Sequence, residues 1–198
     1  MSSASSIQPE YFEKMYAADI DPWSFETSEY EAKKYAATVA ALPKDRYQSA
    51  FEIGGSIGVL TEKLATRCDK LLSVDVSEQA QARAKARCAH LPQVKFQVMQ
   101  LPRDYPARTF DLTVVSEVGY YWDKQDLELA KQKIADCLEP GGHLLLVHWT
   151  PYVDDYPITG DEVHAAFLKQ AEQQVGAVYK SLVSRREERY RLDLLERL

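Results

Sequence analysis

Cysteine is scarce in this chain. Cys68, Cys88 and Cys137 are the only three in 198 residues, with no C-x-x-C spacing among them. An odd, scattered set excludes a complete disulfide framework and a zinc ribbon, and it points to a reducing, cytoplasmic setting. Long apolar runs are missing too: no stretch approaches the roughly 18 residues of a membrane span, so no membrane partner is expected. The opening MSSASSIQPEYFEK has neither a basic region nor an apolar run, and no secretory signal is expected there. Positive charge is in deficit, with 24 basic against 30 acidic residues and a formal net charge of −6. Non-specific nucleic-acid binding depends on neutralising phosphates, so no nucleic-acid partner is expected. What is present, 45% hydrophobic and 27% charged positions, is the balance of a globular protein. A chain of this length buries about 70% of its unfolded surface and needs no staples.

The pattern predicts one domain over 1–198: a flexible tail over 1–9, a helical cover over 10–43, and an α/β core over 48–198. Tyr11, Phe12, Met15 and Tyr16 fall at helical spacing, and Asp21-Pro22-Trp23 breaks the chain. Ser28-Glu29-Tyr30-Glu31 reads as a capping box opening a second helix that ends near Leu42-Pro43. The middle then alternates. Strands are expected at 50–53, 70–75, 94–98, 110–115 and 143–148, and helices at 61–67, 78–90 and 125–138. Such alternation argues for a parallel sheet built from βαβ units. A loop is expected over 150–160 and a helix over 161–174, capped by Thr159 or Asp161. Residues 189–198 suit either a strand or a helix, and periodicity alone leaves both open.

Glu52-Ile53-Gly54-Gly55-Ser56-Ile57-Gly58 joins a strand to a helix. Gly54 and Gly58 allow a tight turn and close approach of a ligand to the backbone. The dinucleotide fingerprint requires glycine at positions held here by Ser56 and Val59, and a phosphate-binding Walker loop requires a lysine that does not follow Gly58. The loop is therefore not built for phosphates. Glu52 would repel a phosphate and suit a cation. Asp75 ends the next strand, where an acid can accept hydrogen bonds from ribose hydroxyls. Ribose without phosphate, beside a positive charge, describes S-adenosyl-L-methionine.

E-x-G-x-x-x-G, the strand-end Asp75, F-D-L-x-V-x-S-E and L-x-P-G-G-x-L-L-L together resemble the class I S-adenosylmethionine-dependent methyltransferases over residues 50–149. D-P-W at 21–23, S-E-V-x-Y-Y at 116–121 and D-Y-P-x-T-G-D-E at 155–162 are similar to the NodS-like subgroup, which includes an N-methyltransferase acting on the free amine of a chito-oligosaccharide. The resemblance implies an α/β Rossmann-like fold: a seven-stranded, mostly parallel sheet of order 3-2-1-4-5-7-6 with an N-terminal helical cover. It also implies a C-terminal β-hairpin at about 177–185 and 188–195. Its cofactor would be S-adenosyl-L-methionine, leaving as S-adenosyl-L-homocysteine, and its partner a small-molecule methyl acceptor. An amine nitrogen comes first, with an amino sugar among the candidates. An O-methyltransferase on a hydroxylated or phenolic metabolite is the alternative, and a non-catalytic cofactor-binding protein is the rival of another class. No N/D-P-P-Y/F motif follows the fourth strand to orient a flipped base.

The residues expected to hold the cofactor are Glu52, Gly54, Gly55, Gly58, Asp75, Val76, Gln100, Leu101, Ser116, Glu117 and Trp23. Gly55 stands where relatives often carry cysteine or alanine, and Gln100 where many carry an acid against the adenine amino group. Trp23, on its Pro-fixed turn, is read as part of a lid. His148 ends the fifth strand at the ligand-binding edge of the sheet and is the candidate base, with Glu117 beside it as a second catalytic candidate. Tyr120, Tyr121, Trp149 and Asp155 are candidates for acceptor contact. His148, Asp155 and His164 match no familiar ligand spacing, so no metal is expected.

Overall fold

The structure is a computed structural model and describes residues 5–171 and 176–198. Fourteen elements follow in the order α1 (Pro9–Ala18), α2 (Glu29–Ala40), β1 (Ala50–Ile53), α3 (Val59–Ala65), β2 (Leu71–Asp75), α4 (Glu78–Arg87), β3 (Val94–Val98), β4 (Phe110–Ser116), a 3-10 turn (Gly119–Tyr121), α5 (Lys124–Cys137), β5 (Leu138–Trp149), α6 (Gly160–Ala171), β6 (Tyr179–Arg186) and β7 (Tyr190–Arg197). The strand order is β3-β2-β1-β4-β5-β7-β6, which bears out the class I methyltransferase fold expected from the sequence. The chain divides into two compact units, Gln8–Gln100 and Leu101–Leu198 with the described part of Met1–Ile7.

In the first unit β1 and β2 run parallel, Ile53 opposite Val74, and β2 and β3 run parallel, Asp75 opposite Val98. All four residues of β1 are buried, as for a strand covered on both faces. α1 and α4 hold each other through their ends. The Glu13 carboxylate accepts from the Glu78 amide (2.5 Å) at the start of α4. Arg83 of α4 donates to the carbonyls of Tyr16, Asp19 and Ile20 at the end of α1, at 2.8, 3.3 and 3.1 Å. An anion at a helix N-terminus and a cation at a C-terminus both complement the helix dipole. The capping box expected at Ser28 is met from one side: Ser28 Oγ accepts from the Glu31 amide (3.4 Å). The Glu31 carboxylate instead holds the buried Lys34 ammonium at 2.9 Å, a charge that burial would leave costly without a partner.

In the second unit β4 and β5 are parallel, with Ser116 opposite Val147, and β5 and β7 are antiparallel, with His148 opposite Arg191. β6 and β7 form the hairpin, so Tyr190–Arg197 is strand rather than helix. β-pairing with β5 decides what local periodicity left open. Thr159 and Glu162 form a reciprocal cap on α6: Thr159 Oγ1 accepts from the Glu162 amide (3.2 Å) and Glu162 accepts from the Thr159 amide (2.8 Å). Only the described part of the expected tail can be compared, residues 1–4 lying outside it; Ser6 is buried and donates to Asp126 (2.5 Å), and the Ile7 amide donates to Tyr121 O (2.8 Å). That segment is pinned rather than loose. The expected end of the sixth helix at Gln174 lies outside the described residues.

Candidate functional site

The glycine loop leaves β1 through Gly54 (φ +83°) and enters α3 through Gly58 (φ +85°), both left-handed conformations that favour glycine. Between them Ser56 adopts φ +48°, unusual for a residue with a side chain. Two contacts hold it there. Asp75 Oδ2 accepts from the Ser56 amide at 2.9 Å, and the Tyr16 hydroxyl bonds Ser56 Oγ. Asp75 Oδ1 meanwhile accepts from the Ser77 amide at 3.0 Å. Burial pushes the Asp75 carboxyl up, against the pull of the Ser77, Ser56 and Val76 amides. A carboxylate oxygen has two lone pairs, so each can still accept a hydroxyl. Val76 is half-buried beside it.

Glu52 lies deeper than the sequence implied. It is 0% exposed, beneath the loop rather than on it. Oε2 accepts from the Thr61 hydroxyl at 2.5 Å, while Oε1 has no hydrogen-bond partner. Burial raises this carboxyl to about 7, and the Thr61 and Ser73 hydroxyls only partly offset the rise. Direct contact at a surface is thus replaced by a buried acid with one unpaired oxygen, whose ionised form a nearby positive charge would stabilise. Gly55 proves stricter than its place in the motif implied. A Cβ there would sit 2.0 Å from Ser73 Oγ, so alanine or cysteine at this position would require Ser73 to move.

Trp23 packs edge-on to Tyr16 (5.6 Å between centroids) and stacks on Phe25 (5.6 Å). This aromatic group covers buried Ile57 and Ala80. Trp23 therefore anchors the N-terminal helices over the glycine loop; the structure shows it packed, not standing free as a lid. A loop of left-handed backbone, a strand-end acid with spare lone pairs and an orphaned buried carboxyl suit a cationic nucleoside, so these residues fit S-adenosyl-L-methionine. Gln100, half-buried, follows β3, and Leu101 begins the second unit, where its carbonyl accepts from Trp122 Nε1 at 3.1 Å.

The second unit brings other candidates together. Buried Ser116 ends β4, and Glu117 turns out of it at φ +56°. Its amide donates to Val147 O (2.9 Å), and its Oε2 accepts from both the Tyr120 hydroxyl and the Trp149 amide, each at 2.7 Å. Burial, then the Glu117 charge, drives the Tyr120 hydroxyl well above its ordinary value, so it stays a proton donor to that carboxylate. Tyr120 stacks on Tyr156 at 5.0 Å, and Tyr121 meets the same ring edge-on at 4.8 Å. Tyr156 was not among the sequence candidates; it lies one residue past Asp155. Asp155 itself is exposed and is not drawn into this group.

His148 corrects the expectation most clearly. It is fully buried. Its Nε2 accepts from the Gly119 amide at 3.1 Å and its Nδ1 lies 3.1 Å from His164 Nε2. With both nitrogens engaged, the imidazole offers no lone pair for a substrate proton, and the base role gives way to a structural one. His164 in turn places Nδ1 at 2.6 Å from Asp193 Oδ2. Burial lowers the His164 imidazole despite that carboxylate, so the contact is a hydrogen bond from a neutral ring. Neither His164 in this role nor Asp193 could be found from a motif. Their signal is the pairing of β5 with β7, which becomes visible only in the sheet. Among the described residues no group of histidine, cysteine and acidic side chains could hold a metal.

The family model described as nodulation protein S, NodS, matches residues 7–149. Nodulation protein S of Rhizobium tropici is 36% identical over 134 residues, covering 65% of this chain and 55% of that protein. Its counterpart in Bradyrhizobium diazoefficiens is 33% identical over 135 residues, covering 67% and 64%. The chain thus spans between half and two thirds of the length of these curated relatives. Among solved structures, a protein described as a putative methyltransferase from Pseudomonas syringae is 36% identical with TM-score 0.74, over 86% of this chain and 100% of that one. The N-methyltransferase NodS from Bradyrhizobium japonicum WM9, solved with S-adenosyl-L-homocysteine, shares the fold at TM-score 0.82 and 21% identity, over 96% and 99%. With the family's pattern running through 143 consecutive positions, from Ile7 to Trp149, and its fold through nearly the whole chain, this protein belongs to the NodS family.

Proposed function

We propose that the protein is an S-adenosyl-L-methionine-dependent methyltransferase that methylates the amine nitrogen of a small molecule. The observation that carries this reading is the glycine loop. Asp75 keeps lone pairs for ribose hydroxyls, and a buried Glu52 carboxyl with Oε1 unpaired disfavours a phosphate at the loop and favours a cation. The group, when bound, supplies an electrophilic methyl on sulfur. The chain's own work is to bind, orient and exclude water, because displacement in line requires alignment more than acid–base chemistry. Gly54, Gly55, Gly58, Asp75 and Val76 form the cradle, and the family pattern adds Gln100 to it. Tyr16 and Trp23 brace the loop. Glu117, at the carboxyl end of β4 where open sheets bind ligands, receives the acceptor amine, with Tyr120, Tyr121, Trp149 and Tyr156 around it. An amine loses its proton to water in this scheme, since His148 has no free nitrogen.

None of the three cysteines is in a disulfide, which suits a cytoplasmic setting. No helix among the described residues is long and apolar enough to cross a membrane. The acidic balance favours a small-molecule partner over nucleic acid. The test is transfer of labelled methyl from S-adenosyl-L-methionine to a panel of amines, amino sugars and phenols. Labelled amine with equimolar S-adenosyl-L-homocysteine is expected. Label on phenolic oxygen alone would overturn the choice of nitrogen, and no transfer with no cofactor binding would overturn the reading.

A further inference from the structure

β5 and β7 pair antiparallel with His148 opposite Arg191 and Leu146 opposite Asp193. Residues directly opposite share a face, and so do alternate residues of one strand. His148, Arg191 and Asp193 therefore stand on one side of the sheet. α6 packs on that side and lowers His164 between them; His148, His164 and Asp193 are each 0% exposed. Two glycines make this approach possible. A Cβ on Gly160 would lie 2.2 Å from Trp149 O, and one on Gly119 would lie 2.9 Å from His148 Nε2 and 2.6 Å from Val163 Cγ1.

The hydrogen bonds fix every proton along this chain. The Gly119 amide can only donate, so His148 Nε2 must be bare. The His148 proton then sits on Nδ1 and is donated to His164 Nε2 at 3.1 Å. The His164 proton sits on Nδ1 and is donated to Asp193 Oδ2 at 2.6 Å. Arg191 Nε reaches the same oxygen at 2.8 Å, which keeps it an acceptor. Reversing either ring would set two N–H groups against each other somewhere along the line, an error that is costly among fully buried groups. The free end of the line is the turn Gly119–Tyr121, which carries the Tyr120 hydroxyl that donates to Glu117.

We propose that His164 and Asp193 are positioning residues: acting through His148, they set the tautomer that ties down Gly119 and so place Tyr120 and Glu117 for the methyl acceptor. The assignment of Glu117 to the acceptor rests on the function proposed above. The line of protons does not, and the two can fail separately. Buried carboxylate and two rings in series make a rigid support, of the kind that holds catalytic groups to within a fraction of an ångström.

Nitrogen-15 spectra of the imidazoles in the full-length protein test the line without any substrate. Both His148 and His164 should show a protonated Nδ1 and a bare Nε2 at neutral pH; a protonated Nε2 on His148 would overturn the proposal. Variants supply the second readout. Asp193→Asn keeps an oxygen for His164 and Arg191, so it should retain both tautomers and turnover within about fivefold. Asp193→Leu removes the acceptor and should lower kcat roughly 100-fold, the scale of a misplacement of about 1 Å, with cofactor affinity unchanged. It should also shift the Gly119 amide resonance. Equal turnover in Leu and wild type, or an Asn variant as damaged as Leu, would contradict the positioning role. If Asp193→Leu does not fold, the Asn variant and the wild-type spectra still decide. If the wild type transfers no methyl at all, the function fails, while tautomers and the Gly119 shift still judge the relay.

Discussion

Two strand ends force a residue with a side chain into left-handed backbone, Ser56 after β1 and Glu117 after β4, and they are held in different ways. The Ser56 loop is gripped by Asp75, 19 residues on, at the end of the adjacent strand. The Glu117 turn depends on partners 29, 16 and 29 residues apart in series: Gly119 to His148, His148 to His164, His164 to Asp193. The first arrangement is a motif, since a βαβ unit always returns the next strand end to the same place. The second is an assembly that exists only once β5, α6 and β7 have packed. Strain of this kind, costing about 1–3 kcal/mol per residue, persists only where its surroundings insist on it. The two regions show a local and a long-range way of insisting.

The largest expected effect breaks the comparison at Glu52. Burial raises its carboxyl from 4.5 to about 7, so the folded state binds the proton more tightly than the unfolded chain. Its stabilising contribution is complete below about pH 4.5 and is lost as pH rises through 7. Glu52→Gln should therefore be more stable than wild type at pH 8, by up to about 3 kcal/mol, with no advantage at pH 4. Urea unfolding at the two pH values measures this. A pH-independent difference would place the charge cost elsewhere.

Next in size is the pair His148→Leu and His148→Gln. A base would lose about 100- to 10,000-fold with either replacement. A support should lose roughly 100-fold with Leu, about 2.7 kcal/mol, and far less with Gln, whose oxygen can accept from Gly119. Steady-state kcat for both variants separates the roles. Gly55→Ala should cost about 1–3 kcal/mol, because its Cβ meets Ser73 Oγ, and much less in a Ser73→Ala background. Thermal unfolding of the double-mutant cycle reads that coupling. Thr159→Ala, which removes the cap of α6, should cost about 1 kcal/mol and shift the midpoint by a few degrees.

Legibility in the sequence follows the same division. The βαβ alternation, the glycine loop and Asp75 could be read because each rests on neighbours in sequence or on a spacing that a βαβ unit fixes, whereas the strand order came only with the resemblance to the class I methyltransferases. Strand ends agree with the sequence pattern to within a few residues except at β5, where Pro140-Gly141-Gly142 reads as a break but the strand runs through it from Leu138. What could not be read was depth and direction. Glu52 was known to precede the loop but not to point beneath it. His148 was known to end a strand but not to find both ring nitrogens occupied. Asp193 was one acid in a charged hairpin until β7 paired with β5 and placed it opposite Leu146. Tyr156 and its neighbour Asp155 are not distinguishable in the sequence, since a loop gives no register by which to tell which side chain turns inward.

The central claim is that the glycine loop with Asp75 holds the methyl donor. Calorimetric titration of S-adenosyl-L-methionine into wild type and Asp75→Ala tests it most directly. Losing a charged hydrogen-bond partner is worth about 1–3 kcal/mol, so the folded variant should bind roughly 5- to 150-fold more weakly. Equal affinity in the two proteins, or no binding by wild type, would contradict the account.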